Sequence, residues 1–112
     1  MSILYNEITI IIILYEEKEK LVLQCLKNIK NFKIIIVDNA NNKALKRQVE
    51  KNFKIFKYIL NEKNYGYSKA ANQAIKISVY KSVFLDINLK KYLSWRSVQS
   101  IIGATDTFLF II

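Results

Sequence analysis

The sequence predicts an α/β fold in which an open parallel sheet is covered by helices on both faces. Three observations carry that prediction. Ile8 to Leu14 and Lys33 to Asp38 are almost unbroken β-branched runs, which fit strands buried on both faces. After each of them the apolar spacing switches to that of amphipathic helices. Strand and helix patterns then alternate along the chain, with crossovers long enough for parallel pairing.

The first strand reads ITIIIIL. Glu16, Glu17 and Glu19 follow it, and Leu21, Val22, Cys25, Leu26 and Ile29 then recur at helical spacing. A first helix is expected from about Glu17 to Lys30, with its acids at the positive end of the helix dipole. The second strand, KIIIVD, stops where a polar cluster begins at Asp38, Asn39, Asn41 and Asn42. Leu45, Val49 and Phe53 mark a second helix, and Ile55 to Leu60 a third, shorter strand. Beyond the turn NEKNYGY, the residues Ala70, Ala71, Ala74, Ile75, Ser78 and Val79 predict a third helix, whose small residues let it lie close to the sheet. Ser82 to Leu85 predicts a fourth strand, again ending in an acid, Asp86. In the tail, LKKYLSWRSVQSII has helical character and FLFII reads as an apolar strand.

At 112 residues the chain has room for one compact domain or a part of a larger one. Its 52% apolar and 24% charged residues belong to a globular protein with a core, not to a disordered tail. The single cysteine, Cys25, excludes an internal disulfide framework and reads as inert core on the apolar face of the first helix. Without histidine there is no Cys/His zinc site and no Ser-His or Cys-His catalytic pair, so acid–base chemistry falls to carboxylates, lysine or tyrosine. No apolar run approaches the ~18–20 residues of a membrane-crossing helix. The N-terminus MSILYNEI also lacks the basic region of a secretory signal. A cytoplasmic location is expected, with peripheral contact at the inner face of the membrane compatible with it.

The formal charge of +9 comes from 18 basic and 9 acidic residues, and the excess is local. Residues 1–38 hold five lysines and five acids, residues 39–91 twelve basic side chains and three acids, and residues 92–112 one of each. A basic stretch suits a phosphate-bearing partner. Lys43, Lys46, Arg47, Lys51, Lys54, Lys57 and Lys63, with Tyr58, Tyr65 and Tyr67 as stacking partners, could form a surface for nucleic acid or an anionic membrane. Solvated faces of the second helix and third strand explain the same residues more cheaply, and AT-rich coding alone yields this much lysine.

In open parallel sheets ligands bind beyond the carboxyl ends of the strands, where strand order reverses. With the order 3-2-1-4, Tyr15 and Glu16, Asp38 and Asn39, and Asp86 to Asn88 all converge on one crevice. Asp38 can accept hydrogen bonds from a base or ribose, or else close an Asx turn or cap a helix. Asp86 and Asn88 stand on alternate residues just past a strand, a spacing that lets both reach one hard cation, although such pairs are common at strand ends. Asn64 to Asn72 is a turn opening into a helix, where backbone N–H groups favour an anion and Lys69 adds charge; plain capping by Ser68 or Gly66 is the alternative. Gly66 and Gly103 are the only glycines, so no glycine-rich phosphate loop exists and side chains or a metal must hold any phosphate.

The runs ITIIIILYEE, IIIVDNANN, NEKNYGYSKAANQAI and VFLDIN, in that order, resemble the nucleotide-binding half of a family 2 glycosyltransferase, the rhamnosyltransferase-like branch in particular. The most specific parts are the V-D-N after the second strand and an N-x-G-[FY]-x-x-A-x-N signature met at Asn64, Gly66, Tyr67, Ala70 and Asn72. The resemblance implies the GT-A fold, with a Rossmann-like nucleotide-binding portion over residues 1–88 and a divergent or truncated tail over 89–112. It implies Tyr15 and Asp38 at the nucleotide base, and Asn64, Gly66 and Asn72 near ribose and sugar. Glu16, Asn39 and Lys69 would border the same donor site. Asp86 and Asn88 would stand at the family's metal-binding pair, holding Mg2+ or Mn2+ on the diphosphate.

The chemistry so implied is direct displacement at the anomeric carbon of a nucleotide-diphosphate sugar, with a glycan or lipid-linked acceptor, as in polysaccharide biosynthesis. No residue is identifiable as the catalytic base. The family's acceptor-binding half is expected beyond this chain or on a partner chain. Nucleic acid is the less expected partner.

Overall fold

The computed structural model describes residues 8–78, 81–85 and 109–111. In chain order the elements are β1 (Ile8–Leu14), α1 (Glu19–Ile29), β2 (Lys33–Asp38), α2 (Lys43–Asn52), β3 (Lys57–Leu60), α3 (Tyr67–Ile75), β4 (Lys81–Leu85) and β5 (Leu109–Ile111). All strand pairs are parallel, and the sheet runs β3-β2-β1-β4-β5. The expected tail helix over LKKYLSWRSVQSII lies outside the described residues.

The strand alternation divides the core in two. Ile10, Ile12 and Leu14 of β1 and Ile34 and Ile36 of β2 turn to one face, against Val22, Cys25, Leu26 and Ile29 of α1 and Leu45 and Val49 of α2. Ile11, Ile35 and Val37 turn to the other, against Ala70, Ala71 and Ala74 of α3. This explains why the first two strands lack polar alternation: both their faces are roofed. Full burial of each Ile or Leu contributes roughly 1.5–3 kcal/mol, so the six isoleucines Ile10, Ile11, Ile12, Ile34, Ile35 and Ile36 anchor the fold. Cys25 is buried and outside any disulfide.

Element ends differ from the sequence expectation for local reasons. α1 begins at Glu19, not Glu17, because the Glu17 carboxylate turns back to accept the Tyr15 N–H. Its N-cap residue, Lys18, has no side-chain acceptor to offer. β3 begins at Lys57, because Phe53 leaves α2 in extended conformation and residues 53–56 serve as the connector. α3 closes at Ile75, so Ser78 falls in the following turn and Val79 outside the described residues.

The register aligns the strand ends. Leu14 of β1 pairs with Asp38 of β2, and Asp38 with Leu60 of β3, so three strands end at one level. Their next residues, Tyr15, Asn39 and Asn61, emerge along a single sheet edge.

Candidate donor site at the strand ends

The loop after β2 is built from its own side chains. Asp38 accepts the Ala40 N–H at 2.8 Å through Oδ1 and the Asn42 N–H at 3.2 Å through Oδ2. Asn41 takes a left-handed conformation (φ 52°), which Asn tolerates better than most residues. Asn42 then caps α2 by accepting the Leu45 N–H at 3.0 Å. The Asn-rich composition of this loop is thus the requirement of a tight turn leading into a capped helix.

Asp38 is 1% exposed and has a third partner, the Tyr58 hydroxyl, which donates to Oδ2 at 3.1 Å. Burial, then the nearby Asp38 charge, push the Tyr58 hydroxyl pKa far above its ordinary value, so it stays a donor. This corrects the reading of Tyr58 as a stacking platform for nucleic acid. Its ring is core and its polar end is committed. Lys46 of the same supposed patch pairs with Glu50 at 2.6 Å.

Asn39 joins the two halves of the site. Its N–H donates to the Leu14 carbonyl at 2.8 Å, and its Nδ2 donates to the Gly66 carbonyl at 3.3 Å, across 27 residues of sequence. Gly66 stands at the N-cap of α3 with φ 84° and ψ 171°, a backbone region essentially restricted to glycine. A Cβ built there would meet nothing within 4 Å, so dihedral freedom, not space, requires the glycine. Asn64 shapes the same turn by accepting the Gly66 N–H at 2.9 Å.

The remaining expected residues divide. Lys69 and Asn72 are exposed on α3, and the Lys69 ammonium lies 4.2 Å from the Tyr65 ring centroid. Tyr15 and Glu16 are exposed at the end of β1, Glu16 with φ 61°, and they line an open groove of about 430 Å3 shared with Lys18, Leu21 and Gln24 of the α1 side. Asp86 and Asn88 lie outside the described residues. Among the described residues, no three acids, histidines or cysteines gather as a metal cluster.

Two contributors lie in the run NEKNYGYSKAANQAI but outside its signature positions. Asn61, the first residue past β3, and Gln73 of α3 exchange two hydrogen bonds at 2.8 Å each, and Asn61 also donates to Asn39 Oδ1 at 2.8 Å. The signal available for Asn61 is its position: it directly follows an apolar strand, as Asn39 does.

The family model of glycosyl transferase family 2 matches residues 9–85, the span from the second residue of β1 to the end of β4, with both motif loops. The chain belongs to glycosyl transferase family 2. That match covers well over half of its length and takes in Tyr15, Asp38, Asn39, Asn61, Gly66 and Gln73 alike. No curated protein and no solved structure matches the chain. Family 2 membership carries a nucleotide-sugar donor and an acceptor in general terms. No helix among the described residues is long and apolar enough to cross a membrane.

Proposed function

We propose that this family 2 chain binds a nucleotide-diphosphate sugar at the carboxyl ends of β1, β2 and β3 and serves its transfer to a glycan or lipid-linked acceptor. One observation carries the reading: the Asn39 side chain bonds to the Gly66 carbonyl, joining the V-D-N turn to the N-x-G-Y loop at the sheet edge where open α/β sheets bind ligands.

In this reading the exposed groups touch the donor and the buried ones hold the walls. Tyr15 and Glu16 offer a flank for the base. Lys69 and Asn72, on the first turns of α3, face ribose and diphosphate, where the helix dipole and the ammonium both favour negative charge. Asp38 and Asn39 act through the loop they fix, since their polar atoms are taken by Ala40, Asn42, Tyr58, Gly66 and Asn61. Asp86 and Asn88, next along the chain from β4, would hold Mg2+ or Mn2+. A cation bound there supplies neutralisation of the charge that builds on the departing diphosphate. The acceptor hydroxyl attacks the anomeric carbon and yields its proton to a carboxylate base. No described carboxylate is assigned that task.

Isothermal titration of the chain with UDP, GDP and dTDP, with and without Mn2+, tests the donor site. Binding of one nucleotide, tightened by Mn2+, is expected. Failure of all three to bind would remove the proposal.

A further inference from the structure

The structure assigns Asn61 and Gln73 as positioning residues: their paired amides fix the turn that opens α3 against the ends of β2 and β3. The functional consequence rests on the proposed donor site; the positional claim does not.

The chain of bonds has a direction, and its origin can be identified. The Gly66 carbonyl can only accept, so Asn39 must present its NH2 to it, at 3.3 Å. That turns Asn39 Oδ1 toward Asn61, which must answer with its own NH2, at 2.8 Å. The second hydrogen of that NH2 goes to Gln73 Oε1, and Gln73 Nε2 returns a bond to Asn61 Oδ1, both at 2.8 Å. Three amides that would otherwise be free to flip are therefore oriented by one backbone oxygen. The Asn61 N–H donates to the Asp38 carbonyl at 2.9 Å, so the relay is fastened to β2 as well.

The need for such a relay lies in α3. Its buried face is Ala70, Ala71 and Ala74 on Ile11, Ile35 and Val37. Three methyl groups, with the half-buried Ile75 beside them, hold the helix close to a β-branched surface but fix its axial position and rotation weakly, because dispersion contacts are non-directional. Gln73 supplies a directional contact from the body of that helix. Fixing Gln73 fixes the rotation of its neighbour Asn72 and the start of the helix at Gly66 and Tyr67. An amide cluster with Asn39 and Asn61 buried and Gln73 half-buried is a costly way to fill space and an effective way to set position.

Gln73→Glu is the test. Ionised at pH 7.5, the carboxylate turns an acceptor toward Asn61 Oδ1 and breaks the return bond; protonated, at pH about 4, it donates to Oδ1, accepts from Nδ2 and restores the pair. Hydrogen exchange of the full chain is read at residues 66–70 and normalised to α1, wild type and variant at each pH. Expected is exchange roughly tenfold faster in the variant at pH 7.5, equivalent to one lost hydrogen bond, returning to the wild-type rate at pH about 4. Exchange within twofold of wild type at both pH values, or equally faster at both, would overturn the assignment. Gln73→Met, which removes both bonds at similar volume, should be faster at both pH values and serves if the Glu variant does not fold. Nucleotide titration at pH 7.5 is the second readout. No binding by wild type would count against the donor site alone, whereas wild-type affinity in a variant with a loosened turn would detach the relay from binding.

Discussion

Tyr58 and Asp38 meet diagonally across neighbouring parallel strands, the phenol donating to Oδ2 at 3.1 Å beneath α1 and α2. This pairing joins the fold's larger core to its candidate site, because the same carboxylate holds the loop after β2. Burial first, and the Asp38 charge second, raise the Tyr58 pKa well above its unfolded value of about 10. Above that pH the unfolded chain releases this proton while the folded chain keeps it. The stabilisation is therefore complete below pH ~10 and is lost as pH rises beyond it. Tyr58→Phe should be less stable than wild type by about 1–2 kcal/mol at pH 7, with the gap closing toward pH ~11. Urea denaturation at the two pH values reads it; a constant gap would mean the phenol titrates alike in both states.

Asp38→Ala should cost more than Tyr58→Phe. It strands the Tyr58 hydroxyl in a buried position and takes the acceptor from the Ala40 and Asn42 N–H groups, which lie nearer the surface. About 2–4 kcal/mol is expected, the range for breaking a buried network. Nucleotide affinity should fall with stability, since the loop carrying Asn39 is released. A variant of wild-type stability that nonetheless loses nucleotide would instead make Asp38 a direct contact.

The physical basis of these two variants also shows what the sequence could and could not disclose. β-branched runs and helical spacing are set by burial, which acts on every residue, so β1, β2, α1 and α3 were legible as elements. The V-D-N and N-x-G-Y motifs were legible as loops at strand ends. The commitment of the Asp38 oxygens was not, because Tyr58 lies 20 residues away and reaches Asp38 through strand pairing alone. Asn61 and Gln73 were hidden for the same reason: an amide has no preferred partner until the register brings one. β3 is shorter than its apolar run suggests because Ile55 packs on the core from the connector at residues 53–56 and not from a strand.

Gly66→Ala separates backbone from steric causes. The site has room for a methyl group, so a cost can come only from forcing φ 84° and ψ 171° on a residue with a Cβ. A loss of about 1–3 kcal/mol is expected, with the Asn39 bond weakened as the Gly66 carbonyl shifts. Thermal or urea denaturation measures it. No loss would show that the turn relaxes into an ordinary cap without consequence for α3.

Ala74→Leu probes how closely α3 must lie on the sheet. Ala74 is fully buried against the face formed by Ile11, Ile35 and Val37, with no space for a larger side chain unless the helix moves outward. Overpacking of this kind costs about 1–3 kcal/mol. The displacement should also act at a distance. Gln73 precedes Ala74 on the same helix, so lifting α3 lengthens both 2.8 Å bonds to Asn61 and loosens the turn at Gly66. By contrast, Leu26→Ala leaves a cavity on the opposite face and should cost about 2–5 kcal/mol with exchange at residues 66–70 changing only with global stability. Comparing the two variants at matched stability would tell whether the α3 turn answers to helix position or to stability; equal exchange would place it with stability.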